Sequence, residues 1–536
     1  MNTDILNTEI LKNGFDDTNF NDTNIKTKAH ANKKALKKVA IIHPLESDLQ
    51  LDLISGSMYM PRLGTISIAT CIRNAGYETL LFCEHNGVEI DWDFVKSADY
   101  VCFSLMSFNS ARGYKLAARV REMTSAPVIF GGSHVSSLPH ESSEHCDYVV
   151  RNEGETSIVE LLKVLDEGGS LETVAGVGYK KNGQLILNEP RKFIRDLDWE
   201  VDYTLMPGYK RPGLISSLLS GLGFSNKKLY HPVVQTSRGC PRNCTFCFGK
   251  RELGRSYRKR EITNIVKEVE WISKNIAVPN IMIVDNDFCV NKKHTLRVLN
   301  AVKENISRPL RFTVFSRVET GHDEEFVSQL KKLQVYNVML GLESINESTL
   351  SLYNKEQGNA EMEKAIRSFQ KAKINVTAFF VLGADTDTLE TVRETIRYAL
   401  KFKFMMSCFF ILYDFPNQFE RFGEYQMIDN RYFIHKDWRF FNSNFAIHFP
   451  KKIKPSSLQK EIIKAYKTYY NIKRFVWSHM NMTSFVARRS ALKLVKTMEK
   501  YVVLLEELED GFYDENENRI EEKFQERTVK IETLAI

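Results

Sequence analysis

Cys240-Pro241-Arg242-Asn243-Cys244-Thr245-Phe246-Cys247 places three thiols within eight residues, directly after the strand-like run Pro232-Val-Val-Gln-Thr236. Thiolates are soft ligands that hold iron–sulfur clusters and zinc. A structural zinc site normally closes with a fourth Cys or His at short spacing. The nearest candidates, His231 and Cys289, fit no such pattern. A four-iron cube held by three thiolates instead keeps one iron open. An open iron can bind a small molecule and pass it an electron. The motif sits at the end of a strand, so the segments beyond it decide the fold.

Downstream, apolar runs alternate with helical periodicity. Strand candidates lie at 233–236, 280–284, 312–315, 336–341, 376–382 and 406–412. Strands alternating with helices predict a parallel sheet. Six such units make about three-quarters of a TIM-type barrel, a partial (βα)6 barrel over 231–430 that stays open on one side for a substrate. In βα barrels the chemistry gathers at the carboxyl ends of the strands. Asp285-Asn-Asp287, Ser316-Arg317-Val-Glu319, Glu343-Ser344 and Gly383-Ala-Asp385-Thr-Asp387 fall at those ends, as do the cysteines.

A second α/β region precedes it, over 38–189. Its strand candidates are 39–42, 78–83, 100–105 and 127–130, with a helix over 63–76 closed by Gly76 and another over 112–122. The pattern predicts a Rossmann-like, doubly wound sheet. Ligands of such sheets sit at the carboxyl ends of strands, here His43-Pro44, Ser104 to Asn109 and Gly131-Gly-Ser-His134. A connector over 190–230 carries Met206-Pro-Gly208, and a mostly helical region follows over 431–536. Within it, 464–489 reads as an amphipathic helix packed on the barrel with a solvated basic face.

Composition sets the outer bounds. Of 536 residues, 43% are hydrophobic and 26% charged, the profile of a soluble globular chain. No run of 18 apolar residues exists, so no transmembrane helix is expected. Residues 1–37 are rich in Asn, Asp, Thr and Lys and lack the apolar segment of a signal peptide. They read as a weakly ordered leader, which predicts a cytoplasmic protein. Nine cysteines in an unexported chain argue for metal or redox use, not disulfides. Cys71, Cys83, Cys102, Cys146 and Cys408 sit in strand or helix patterns and read as small core residues. The net charge of +7 is mild, and without a concentrated basic stripe a zinc-stapled nucleic-acid binder is not expected.

The C-x3-C-x2-C spacing, with an aromatic before the last Cys, resembles the radical S-adenosylmethionine (SAM) superfamily. An α/β domain ahead of the barrel resembles its cobalamin-binding group, as do Pro61-Arg-Leu-Gly64, Ala75-Gly-Tyr77, Ser104-Leu-Met-Ser107, Phe130-Gly-Gly-Ser-His134 and Asp147-Tyr-Val-Val-Arg-Asn-Glu-Gly-Glu155. The resemblance implies that Cys240, Cys244 and Cys247 ligate a 4Fe–4S cluster whose open iron SAM chelates. It places Phe246 against the adenine, Asp285 and Asp287 near the amino end of SAM, and Arg317 and Glu343 at its carboxylate or ribose. It makes Gly131 and Gly132 the main cobalamin contacts, with Ser104, Ser107 and Ser133 behind them, and Glu153-Gly-Glu155 a structural cap. No His has Asp two positions before it, so the D-x-H-x-x-G route to a lower cobalt ligand is missing; His134 is a candidate ligand that reads better as a polar loop residue.

The implied reaction is reductive cleavage of SAM to a 5′-deoxyadenosyl radical that opens an unactivated carbon. Methyl transfer from cobalamin is the leading expectation; cyclisation or C–C coupling, with or without cobalamin, is the alternative. The implied partners are a flavodoxin- or ferredoxin-type electron donor and a small-molecule or lipid substrate. Membrane contact is not predicted. Tyr413-Asp-Phe-Pro-Asn-Gln418 departs from the family's Pro-Gly-Thr after the sixth strand, so no substrate carries over. Tyr413, Asp414 and Tyr425 are candidates for lining the substrate cavity, and Cys289 lies near the site.

Overall fold

Strand β1 (Lys38–His43) is apolar along its length because it is covered on both faces. Val39 and Ile41 face one core, while Ala40 and Ile42 face another. The computed structural model describes residues 36–45, 58–206, 229–230, 232–276, 280–413, 432–473 and 482–524. The leader, His231, Asp414 and Tyr425 lie outside the described residues.

Around β1 the first sheet runs β2 (Glu78–Cys83), β1, β3 (Tyr100–Ser104), β4 (Val128–Gly131), β5 (Tyr148–Val150), β6 (Val177–Lys181) and β7 (Gln184–Leu187). Its first five members are parallel, and β6 and β7 add antiparallel. The sequence reading expects only the four strands β1 to β4. The hairpin it omits turns on Asn182-Gly183, both at positive φ (53° and 80°), the two-residue turn that suits twisted strands. Helix α1 (Leu63–Asn74) ends where Gly76 takes φ 99°. Helix α2 (Ser107–Met123) starts five residues before the expected 112, because the Asn109 amide oxygen accepts from Met106 N at 2.8 Å and fixes its first turn.

The second sheet consists of β8 (Val233–Val234), β9 (Asn280–Ile283), β10 (Arg311–Ser316), β11 (Val335–Glu343), β12 (Asn375–Leu382) and β13 (Met406–Ile411), all parallel and in sequential order. This is the expected open six-stranded barrel. Strand β8 is shorter than 233–236 because Thr236 leaves the sheet for Asp285, and Ser237–Arg238 pairs antiparallel with Arg258–Lys259.

The helical C-terminal region closes the far edge. On α3 (Pro455–Tyr469) and just beyond it, the Tyr466 and Tyr470 hydroxyls accept from Phe409 N and Ser407 N of β13 at 3.3 and 3.2 Å. Side chains thus satisfy backbone groups that an edge strand leaves unpaired. Helix α4 (Met482–Leu508) packs on α3. One apolar core runs continuously from α1 and β1 through the barrel to both C-terminal helices.

Candidate active site

The cysteine loop is built on a glycine. Gly239 has φ 85°, and a Cβ there would lie 2.1 Å from the Ser256 carbonyl oxygen. That close approach lets Cys240 N donate to Gly254 O at 3.2 Å. The other side of the loop is tied to the chain after β11. Thr245 donates from N to Tyr353 O at 3.1 Å and from Oγ1 to Leu352 O at 2.7 Å, and Asn354 Nδ2 donates to Asn243 O at 3.0 Å. Phe246 packs on Tyr353 with ring centroids 4.8 Å apart. Cys244 is buried, and Cys240 and Cys247 are half-buried. Burial pushes the Cys240 thiol up, and the nearby Asp287, Cys247 and Cys244 push it the same way. A crowded thiol that resists ionisation alone suits a metal cluster, which deprotonates its ligands. Among the described residues no three Cys, His, Asp or Glu side chains meet as ligands of a single ion. A cubane does not require that, because each thiolate takes a different iron.

The four rim residues divide by what already holds them. Asp285, fully buried, accepts from Thr236 N (2.6 Å), Thr236 Oγ1 (2.5 Å) and Ser237 Oγ (2.6 Å). Its carboxylate braces the start of the cysteine loop. Asp287 is also buried, yet its Oδ1 has no hydrogen-bond partner. Burial pushes this carboxyl up to about 6, against the pull of Arg317 and Arg242. Arg317 forks onto Glu319 and also donates from Nη1 to Cys244 Sγ at 3.3 Å. Glu343 ends β11 at φ 63°, at a shift in the β11–β12 register, and pairs with buried Lys355 at 2.7 Å. A non-glycine residue in the left-handed region at a strand end is a strained position of the kind found at working sites.

On the other side, the first sheet offers the ends of β1, β3 and β4. Gly132 has φ 107°, and a Cβ would sit 2.4 Å from Leu105 O, so the backbone itself forms this surface. Gly131, Gly132, Ser104 and Ser133 all line one cavity of about 540 Å³, whose far wall is Val233, Gln235, Met282, Val284 and Phe315 of the barrel. Ser107 does not line it. It stands behind, with its hydroxyl 3.3 Å from His134 Nδ1. His134 is not the polar loop residue expected: it is fully buried on the short helix Ser133–Ser137, and its Nε2 lies 2.8 Å from the Tyr114 hydroxyl. His43 lines the cavity at the end of β1. Burial, with Arg62 nearby, holds it neutral, its protonation pushed down to about 3; the Ser104 backbone opposes that shift without closing a hydrogen bond.

Two links between the halves are not visible to sequence reasoning. Glu153 and Glu155 form a buried ion-pair network with Arg238 (3.3 and 2.6 Å), and Arg258 joins Glu153 at 2.8 Å. The expected cap is therefore a clasp between the first sheet and the cysteine strand. Glu252, four residues after Phe248, meets Ser133, and burial pushes its carboxyl up to about 7 against that hydrogen bond. The only sequence signal was Arg238 standing two residues before Cys240. Cys289 is buried beneath the site among Asp287, Ser316 and Thr320, and burial pushes its thiol up to about 12. Tyr413 is buried against Phe441.

These residues fit the groups that the sequence implies. Three thiols share one loop, an unpartnered buried carboxylate oxygen beside them suits a cationic ligand, and a glycine-paved surface faces Val233, Gln235 and Met282 of the barrel across one cavity. The Radical SAM superfamily profile matches residues 234–399, and the B12 binding domain profile matches 51–162. The chain thus belongs to the radical SAM superfamily, in the group that carries a cobalamin-binding domain ahead of the barrel. It is an enzyme, and its cofactors are a 4Fe–4S cluster, SAM and cobalamin. It is 25% identical over 423 residues to the bacteriochlorophyllide d C-8(2)-methyltransferase of Chlorobaculum tepidum, covering 77% of this chain and 85% of that one. It is 27% identical over 290 residues to an anaerobic magnesium-protoporphyrin IX monomethyl ester cyclase of Cereibacter sphaeroides, covering 51% of this chain and 44% of that one. Its fold is similar to that of the cobalamin-dependent SAM radical enzyme OxsB, with TM-score 0.60 at 14% identity over 91% of this chain and 78% of that one.

Proposed function

We propose that this protein is a cobalamin-dependent radical SAM methyltransferase acting on an unactivated carbon of a small apolar molecule or lipid. The observation that carries this reading is the single cavity shared by the Gly131-Gly132 surface and the rim of the barrel. When bound, the cluster and SAM supply a 5′-deoxyadenosyl radical for hydrogen abstraction, and cobalamin supplies the methyl group.

The chain's own residues bind, orient and exclude water. Cys240, Cys244 and Cys247 hold the cluster. Asp287 offers its unpartnered oxygen to the ammonium of SAM, and Arg317 offers a guanidinium to the carboxylate. Glu343 takes a SAM contact from a position fixed by Lys355. Phe246 gives the adenine an apolar surface, and Asp285 acts through the loop it braces. Inside the barrel, Phe315, Phe379 and Phe410 form a row with centroids 6.1 and 5.6 Å apart. Such a row favours an apolar, ring-bearing substrate and keeps water from the radical. A one-electron donor of flavodoxin or ferredoxin type serves the cluster. Among the described residues no helix is long and apolar enough to cross a membrane.

The test uses the full chain, loaded anaerobically with iron, sulfide and cobalamin, and given SAM carrying a deuterated methyl group. A panel of tetrapyrroles and polycyclic lipids serves as substrates. Methyl transfer predicts a deuteromethylated product with S-adenosylhomocysteine and 5′-deoxyadenosine together. Product with 5′-deoxyadenosine and no S-adenosylhomocysteine would assign cyclisation or coupling instead. If the variant with all three cysteines changed to Ala still cleaves SAM, the site itself is misassigned.

A further inference from the structure

One polar group in the cavity wall has no role so far. His43 is 1% exposed, and neither Nδ1 nor Nε2 has a hydrogen-bond partner. Strand alternation sets it on the same side of β1 as Ile41, and both residues line the cavity. It is the only histidine among the described residues that does so. Leaving a buried polar group unpaired costs about 1–3 kcal/mol. Native structures rarely accept that without an occupant to satisfy it. A neutral imidazole carries one N–H and one free lone pair, and the lone pair is what a metal ion takes.

The neighbouring groups narrow the choice. His134 has both nitrogens engaged, by Tyr114 and by Ser107, so it has no lone pair to give. Ser104, Gly131 and Gly132 pave the same strand ends and offer no ligand atom of comparable strength. The chain carries no D-x-H-x-x-G histidine. We propose that His43, from the end of β1, is the protein's nitrogen ligand to the cobalt of bound cobalamin. The proposal rests on cobalamin occupying this cavity, and its test separates the two claims.

The full chain is produced with natural-abundance histidine and, in parallel, with 15N-histidine. Each is loaded with hydroxocobalamin, assayed for corrinoid per chain, and reduced to the Co(II) form for electron paramagnetic resonance. Ligation by His43 splits each resolved cobalt line into three with 14N and into two with 15N-histidine. His43→Ala removes the splitting from the corrinoid that the variant retains, and His134→Ala leaves the splitting in place. Unsplit lines in the loaded wild type would overturn the proposal. So would a threefold pattern indifferent to the label, because the nitrogen would then belong to the cofactor's own base. Should His43→Ala fail to fold, the isotope comparison on wild-type protein decides alone. A chain that binds no corrinoid overturns the cofactor assignment first, and this proposal with it.

Discussion

Arg238→Met attacks the clasp between the two halves, and its cost can be worked from the contacts. Arg238 reaches Glu155 at 2.6 Å and Glu153 at 3.3 Å, and the three side chains are only 4–6% exposed. Without Arg238, Glu153 still has Arg258 at 2.8 Å and the Ile194 N–H at 2.7 Å. Glu155 loses its charged partner and stays buried. Breaking a buried pair by removing one member costs about 3–5 kcal/mol, because the remaining charge is uncompensated. At about 2–4 °C per kcal/mol for a domain of this size, the unfolding midpoint should fall by about 6–20 °C. Replacing both members with apolar residues of similar volume is often near neutral. Arg238→Met with Glu155→Leu should therefore recover most of the loss. The assay is thermal and urea unfolding of wild type, single and double variants, with iron per chain measured alongside. A single variant within about 1 kcal/mol of wild type, or a double no better than the single, would refute the assignment of the clasp as a buried ion pair.

Gly132→Ala forces a Cβ to within 2.4 Å of Leu105 O at φ 107°, a strain of about 1–3 kcal/mol. Corrinoid per chain should fall sharply while iron per chain holds, and unchanged corrinoid would remove Gly132 from the cofactor surface. Glu252, raised to about 7, keeps a proton in the folded state that the unfolded chain has lost. Stability should therefore fall as pH rises from about 4.5 towards 7, by at most about 1.4 kcal/mol per unit, and level off above. Glu252→Gln should flatten that slope in urea midpoints taken at pH 5, 6 and 7. An unchanged slope would place the titration elsewhere. Arg317→Lys gives up the fork to Glu319 and the bond to Cys244, so SAM binding by calorimetry should weaken about tenfold, or about 1.4 kcal/mol, with iron retained. Equal affinity would mean that Arg317 serves the thiol alone.

Much of the architecture was legible because each barrel strand is buried and bounded by polar punctuation. Asn280–Ile283 and Asn375–Leu382 fall almost where apolar runs predict them. The β6–β7 hairpin is harder to read: Asn182-Gly183 is a strong turn signal, but the exposed lysines of β6 weaken its apolar pattern. The site divides differently. The cysteines announce themselves by spacing, and Gly132 by its strand-end position. Asp285 and Asp287 look interchangeable in sequence, yet one is braced by three donors and the other keeps an unpartnered oxygen. That difference arises from Thr236 and Ser237 folding back, which no local pattern encodes. His134 and His43 invert in the same way, one sealed by Tyr114 and one left facing the cavity.

Why the glycine surface and the barrel strands line one cavity follows from strand polarity. A parallel sheet gathers its polar loops at the carboxyl ends of its strands, so each half has one chemically active edge. Glu153 and Glu155 follow β5 at that edge of the first sheet, and Arg238 follows β8 at that edge of the second. Charges buried at 4–6% exposure are stable only when paired, so the clasp closes solely when the two active edges face each other. Ser133 meeting Glu252 repeats the constraint at a second point, and two points fix an orientation that one would leave free to swing. The same ion pairs that hold the halves together therefore also align the glycine surface with the cysteine loop. Loosening them should lower catalysis before it unfolds the chain.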